Sequence, residues 1–313
     1  MAHLTADILI AAFNEENMIA HTLAGLANQQ FALGQHFKVH VVANGCIDNT
    51  VVNARRAIAE LTPHANLEFT LHELPKPHKM EALQYGLQQA TSDIVFCVDA
   101  DAILDENCIA ATLLELKDPK VMVAGPRAFV TIPKNRKDTL LGHMQQLFNI
   151  RRDVYEGLRP MGRMIAYRRA LFAEYPKNIA GDDTWVAFVA ADRYGWDSVR
   201  VAQGATAAGY GPQNWIDYLK QDSRFKQVAL QLLAQFPEFK RVCDEERAMI
   251  LAREKELWPQ FLSRLKKEGI PAEYVKYMHF WEQMCLENNQ FIPEQLISTD
   301  GRWEPIRTTK SHS

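Results

Sequence analysis

Residues 7–98 carry four short apolar runs separated by three amphipathic stretches, and few architectures accommodate that alternation. The runs "DILIAAF" (7–13), "FKVHVVA" (37–43), "NLEFTLHEL" (66–74) and "IVFCVDA" (94–100) have the length and composition of buried strands. Between the first two, "NMIAHTLAGLANQQ" spaces Ile19, Leu23 and Leu26 as a helix does, behind Glu15 and Glu16. "VVNARRAIAEL" reads as a second helix opened by Asp48 or Thr50, and "KMEALQYGLQQA" (79–90) as a third. Strand and helix in strict turn predict a doubly wound α/β sheet, whose ligands bind beyond the carboxyl ends of the strands.

The fourth strand ends in Asp99-Ala100-Asp101. Residues two apart in an extended chain point the same way, so both carboxylates can face one cation. Paired carboxylates suit a hard divalent ion, Mg²⁺ or Mn²⁺. Further on, 106–118 reads as a helix, 121–130 as a strand and 138–158 as a helix of mixed charge. Residues 163–172 start like a strand and end in a basic turn. A helix over 181–195 opens with Asp182 and Asp183, and a strand leads into a glycine-rich loop near 212. From Trp215 the chain is helical and charge-rich, through "EYVKYMHFWEQMCLENN".

The remaining composition excludes several classes. With 313 residues, 47% apolar and 23% charged, the chain is ordinary globular material. A net charge of −3 gives no field for nucleic acid. Cys46, Cys97, Cys108, Cys243 and Cys285 are odd in number and lack CxxC spacing, which predicts reduced thiols in a cytoplasm. No stretch has the character of a signal peptide or a bilayer span. The expectation is a cytoplasmic protein, with contact at the inner face of a membrane left open.

Six segments, in order, carry a resemblance: "LIAAFNEENMIAHTL", "VVANGCIDNT", "HKMEALQYG", "FCVDAD", "GRMIAYRRALF" and "GDD", followed by "QDSRF". Together they resemble a family 2 glycosyltransferase of GT-A fold, with the resemblance covering about residues 7–225. It implies a GT-A catalytic domain over 1–212. Residues 1–102 would form its nucleotide-binding half and 103–212 its acceptor-binding half, with a helical C-terminal region over 213–313. It also implies a nucleotide-sugar donor, Mg²⁺ or Mn²⁺, and a glycan, lipid-linked or small-molecule acceptor. Ala11, Phe13 and Glu15 would line the nucleoside, Asn44 and Asp48 the base and ribose, and Lys79 the base or diphosphate. Asp99 would face the ribose or sugar and share the metal with Asp101. Asp183, beside Asp182, would be the general base. Gly162 and Arg163 would border the acceptor, and Gln221 and Arg224 would steady the acceptor or diphosphate. The implied reaction is an inverting transfer, in surface polysaccharide or glycan synthesis.

The chain departs from that pattern in two places. Ala43 and Asn44 stand where the family carries acids, which leaves UDP, GDP, CMP and dTDP sugars open. Phe225 replaces the tryptophan of QxxRW, a motif strongest in membrane-spanning processive synthases, so transfer of a single sugar is expected. From the residues alone, Asp182-Asp183 also reads as a pair of helix-start acids, and Glu15-Glu16 likewise. Lys79 also reads as a solvated helix start, Asn44-Gly45 as a plain turn and Arg168-Arg169 as a surface pair. The histidines, His78, His143 and His279 among them, lack metal-ligand spacing.

Rival classes fit less well. A haloacid dehalogenase-like phosphohydrolase also has a strand and DxD, but its later acid would fall on Val186. A nucleotidyltransferase wants a glycine-rich basic loop where "AAFNEEN" is acidic, and a dinucleotide oxidoreductase wants GxGxxG. A non-catalytic nucleotide-binding module would have no need of Asp99, Asp101 and Asp183.

Overall fold

A computed structural model describes residues 5–31, 35–61, 66–155 and 157–276 of the chain. Most of the expected helix over 273–289, with His279 and Cys285, lies outside the described residues. The first half alternates as the sequence predicts: β1 (Thr5–Ala12), α1 (Ile19–Ala27), β2 (His36–Asn44), α2 (Thr50–Leu61), β3 (Leu67–Leu74), α3 (Lys79–Gln89) and β4 (Ile94–Val98). There follow β5 (Ile103–Leu104), α4 (Cys108–Glu115), β6 (Val123–Thr131), α5 (Leu140–Val154), β7 (Met164–Arg168), α6 (Asp182–Tyr194), β8 (Val199–Tyr210), α7 (Trp215–Gln235) and α8 (Lys240–Lys267).

The strands join one eight-stranded sheet in the order β3-β2-β1-β4-β7-β6-β8-β5. Strands β3, β2, β1 and β4 are parallel, as a doubly wound sheet requires. Beyond β4 the sheet is mixed, because β7 runs antiparallel to both β4 and β6. The sequence does not carry this reversal. Both faces of these strands are covered, and a run buried on both faces reads the same in either direction. The reversal has a consequence for chemistry. Register pairs Val98 with Met164, so β7 starts where β4 ends and Arg163 falls beside Asp99.

Period-two alternation splits the core. Ile8 and Ile10 of β1 pack with Leu23 of α1, Ala54 of α2 and Ile109 of α4. Leu9 faces the other way, with Val95, Leu83 of α3, Phe188 of α6 and Leu232 of α7. The C-terminal helices are thus part of the second core layer. A third cluster joins Leu147 and Ile150 of α5 to Phe261 and Leu265 of α8. Arg151 on α5 also pairs with Glu254 on α8. None of the described helices is long and apolar enough to cross a membrane.

One charged group lies inside the sheet. Asp7 of β1 is fully buried, yet its carboxylate accepts from His40 Nε2 at 2.9 Å and from the Thr91 and Ser92 amides at 2.9 and 2.7 Å. Burial alone would raise its pKa, but these bonds outweigh burial and lower it from 3.8 to about 2. A carboxyl depressed on folding stabilises the native state above its unfolded pKa and loses that contribution as pH falls toward its folded value. Asp7→Asn turns an amide donor toward two backbone donors or toward His40. We expect it to cost about 3 kcal/mol and to lower the melting temperature by roughly 5 °C or more. The wild-type advantage over this variant should shrink between about pH 4 and pH 2 in urea melts.

Candidate active site

The carboxyl ends of β1, β2 and β4 open onto a cleft of about 690 Å³. Two of the loops on this rim are stitched together. Asn14, in a left-handed conformation (φ 53°), accepts from the Ile47 amide at 3.0 Å. Glu16 Oε2 accepts from the Asn49 amide and side chain at 3.1 and 2.9 Å, and Thr50 Oγ1 accepts from the Glu15 amide at 2.7 Å. The Asp48 carboxylate holds the Thr50 amide at 3.0 Å and the Glu16 amide at 3.2 Å. Asp48 is not among the cleft-lining residues, so it shapes the wall from behind.

Ala11, Phe13, Glu15 and Asn44 do line the cleft. Asn44 is already committed to the frame. Its Nδ2 donates to the Ala12 carbonyl at 2.8 Å and its Oδ1 accepts from the His78 amide at 3.1 Å. His78 in turn caps α3, accepting from the Glu81 amide at 3.3 Å. This relay launches α3 with Lys79 as its first residue.

Lys79 connects the two acidic segments, Asp99 and Asp182, that the sequence sets 83 residues apart. Its Nζ lies 3.0 Å from Asp99 Oδ1 and 2.9 Å from Asp182 Oδ1. Burial works against the ammonium, but Asp182 and Asp99 override it and raise its pKa. Burial likewise opposes charge on Asp99, yet Lys79, Arg163 and Arg224 hold its carboxyl below the usual range. At Asp182 burial dominates, aided by the neighbouring Asp183 and Asp99 charges, and its pKa rises despite Lys79.

The turn after β4 is held from both sides. Thr22 of α1 donates to the carbonyls of Ala100 and Ala102 at 2.9 and 3.1 Å. The Asp99 amide donates to the Arg163 carbonyl at 2.9 Å, continuing the β4–β7 ladder. Arg163 Nη1 then reaches Asp101 Oδ2 at 2.6 Å. This approach needs Gly209 on β8, because a Cβ there would overlap the Arg163 guanidinium. Gly209→Ala should push Arg163 off Asp101, separating two largely buried charges at a cost of about 2 kcal/mol. In a thermal-melt cycle, Arg163→Ala should cancel most of that penalty. Simple additivity of the two changes would show that Arg163 is not the group displaced.

Asp182 and Asp183 open α6 behind Gly181. Asp183 accepts from the Gly162 amide at 2.6 Å and from its own Thr184 amide at 2.7 Å. Among the described residues, no lysine or arginine forms an ion pair with it. Gly181 has no room for a side chain, since a Cβ would strike Val228 of α7. That contact brings Gln221, Arg224 and Phe225 of α7 into the cleft wall. Arg168 and Arg169 take no part. Arg168 binds the carbonyls of Val121 and Leu116 at 2.9 and 2.7 Å, and Arg169 binds that of Ala90 at 3.2 Å.

Three cleft cations escaped the sequence reading: Arg152 of α5, Arg159 in the following loop, and Lys177 at the rim. Arg152 and Arg159 both lie within ten or so residues before the Gly162-Arg163 segment, and that proximity was the available signal.

The donor set of the turn fits a divalent cation in part. Asp99 and Asp101 offer hard oxygens. Among the described residues no group of three or more His, Cys, Asp or Glu side chains gathers to hold a metal alone. A cation here would need oxygens from a phosphate ligand and water, as Mg²⁺ commonly does.

Comparison with known proteins gives the arrangement its context. Residues 7–176 match the sequence model of Glycosyl transferase family 2. Poly-beta-1,6-N-acetyl-D-glucosamine synthase of Staphylococcus aureus (strain MSSA476) is 28% identical over 145 residues, 44% of this chain and 31% of that protein. The same-named enzyme of Staphylococcus epidermidis is 25% identical over 144 residues, 45% of this chain and 32% of that one. The chain thus spans about a third of the length of these relatives. Among solved structures, a mannosyltransferase from Pyrobaculum calidifontis in complex with GDP-Man and Mn²⁺ shares the fold. Its TM-score is 0.60 at 21% identity, over 91% of this chain and 81% of that one. Glucosyl-3-phosphoglycerate synthase from Mycobacterium tuberculosis, in complex with Mn²⁺, UDP and glucosyl-3-phosphoglycerate, gives 0.50 at 20% identity over 74% and 79%. The mixed sheet with its helical cover is therefore the GT-A architecture, and with more than half of its length matched, the chain belongs to glycosyl transferase family 2.

Proposed function

We propose that this glycosyltransferase takes a nucleoside-diphosphate sugar, with a divalent cation at Asp99 and Asp101, and inverts the anomeric centre as it passes the sugar to an acceptor hydroxyl. The observation that carries this reading is the convergence at one cleft of the Asp99/Asp101 turn, Lys79, Arg163 and the Asp182-Asp183 pair, contributed by β4, α3, the approach to β7 and α6. Residues 1–102 would hold the donor, and 103–212 with the start of α7 the acceptor. The relatives named as poly-beta-1,6-N-acetyl-D-glucosamine synthases support a place in polysaccharide or glycan synthesis.

A bound Mg²⁺ or Mn²⁺ would supply positive charge to the departing diphosphate. Arg163 and Arg224 add fixed cations on the same side, since both act on Asp99. Asp183 takes the acceptor proton as the new bond to C1 forms and the C1–phosphate oxygen bond breaks. Its two backbone hydrogen bonds fix the carboxylate, and the absence of an ion-paired cation among the described residues leaves its lone pairs for the acceptor. Asp182 is spoken for by Lys79, which makes it the weaker candidate for the base.

The test is a screen of UDP-, GDP-, dTDP- and CMP-sugars with Mn²⁺ and simple glycosyl acceptors, followed by NMR of the product. Release of nucleotide with an anomer opposite to that of the donor is the expected result. Retention of configuration would remove the inverting mechanism. Steady hydrolysis of a generic phosphate ester, with no sugar transfer, would favour the phosphohydrolase reading instead.

A further inference from the structure

We propose that the acceptor of this enzyme carries an oxyanion, a phosphate or carboxylate group, close to the attacked hydroxyl, and that Arg152 and Arg159 bind it. The inference rests on the reading of Asp183 as the base and adds the chemical class of the acceptor.

The argument begins with charge pairing. Lys79 and Arg163 each have carboxylate partners in the cleft. Arg152 and Arg159 also line the cleft but are not satisfied in that way. Arg152 forms no ion pair among the described residues. Its Nη2 meets the thioether of Met161 at 2.6 Å, a weak acceptor, and its guanidinium lies 5.1 Å from the Phe148 ring centroid. Arg159 uses Nε on Glu246 at 2.7 Å, but its Nη1 is buried without a hydrogen-bond partner. Its side chain is only 10% exposed.

Two guanidinium groups with spare donors are costly to keep in one wall. Burial and then the like charge of Arg159 depress the pKa of Arg152 to about 10. Arg159 is opposed by burial and supported by Glu246 and then Asp183. Asp183 is thus the cleft carboxylate that acts on both arginines. Glu246 pairs with Arg159, so the spare donor capacity beside the proposed base is the Arg152 guanidinium, with no ion pair among the described residues, and the unpartnered Nη1 of Arg159. A guanidinium fork matches phosphate and carboxylate oxygens in pairs, and a desolvated fork gains most from such a ligand. An acceptor anchored there would present its hydroxyl to Asp183.

The donor diphosphate is a separate matter. Arg224 acts on Asp99 and Arg163 binds Asp101, so the cations suited to the leaving group cluster at the turn after β4.

The experiment is calorimetric titration of the full chain, first filled with Mn²⁺ and excess UDP or GDP, with inorganic phosphate, acetate and uncharged glycerol as probes. Phosphate or acetate should bind in the millimolar range while glycerol does not. Arg152→Gln should weaken that binding at least tenfold and leave nucleotide affinity within twofold, with Arg152→Lys in between. Arg159→Gln, checked for folding by its melting curve, should act in the same direction. Equal anion affinity in wild type and variants would overturn the proposal. So would a parallel loss of nucleotide and phosphate binding, which would assign both arginines to the donor. If neither nucleotide binds with Mn²⁺ yet phosphate binding still depends on Arg152, the donor reading fails and the anion subsite stands.

Discussion

Asp183→Asn is expected to reduce kcat for sugar transfer by about a thousandfold, within the range general-base catalysis supplies. The substitution is nearly isosteric. It replaces one acceptor oxygen by an NH₂ group, which must face either the Gly162 or the Thr184 amide, both now donating to the carboxylate at 2.6 and 2.7 Å. Some local shift follows, so Asp183→Ala should be measured beside it. Neither variant touches Lys79, Asp99 or Asp101, and nucleotide affinity should stay within about twofold, less than ~0.5 kcal/mol. A residual kcat above a tenth of wild type would move the base elsewhere, with Asp182 the first alternative. That alternative has its own mark, because Asp182→Asn would free Lys79 from one of its two acids and alter donor binding as well.

Asp101→Ala should remove the increment that Mn²⁺ adds to nucleoside-diphosphate binding, a loss of about a hundredfold or ~2.7 kcal/mol. Weak binding should survive and become indifferent to metal. The reason is Arg163, whose guanidinium sits 2.6 Å from Asp101 Oδ2 and would be released as a lone cation beside the phosphates. Titrations with and without Mn²⁺ or EDTA distinguish this outcome from simple unfolding. An unchanged Mn²⁺ increment in the variant would take Asp101 out of the metal site.

Much of this site was readable in the chain, and the unread part has physical causes. Asp99 and Asp101 stand at the end of a continuous apolar strand, and the strand–helix alternation places that end at a ligand-binding rim. From the residues alone Lys79 reads as a solvated helix start, and the resemblance sets it at the base or diphosphate; its pairing with Asp182, more than a hundred residues away, is carried by neither. Asp48 and Asn44 were expected to face the ligand. Asp48 holds backbone amides behind the wall, whereas Asn44 does line the cleft while its amide bonds Ala12 and His78. A side chain that bonds its own loop and one that bonds a ligand have the same sequence signature. The antiparallel entry of β7 was likewise silent, since buried alternation carries no direction. Arg152 and Arg159 looked like ordinary charges of a mixed helix and its following loop, and only the packing of α8 buries Arg159 against Glu246.

Helix α7 supplies Gln221, Arg224 and Phe225 to the cleft while Val228 and Leu232 lock into the same core layer as Phe188. A protein trimmed after Tyr210 would therefore keep every strand yet shed one side of its reaction chamber and bare the oily flank of α6. The proposed chemistry is thus expected to need the helices beyond β8 as well as the sheet, because α7 closes the cleft wall and, with α8, covers the second core layer.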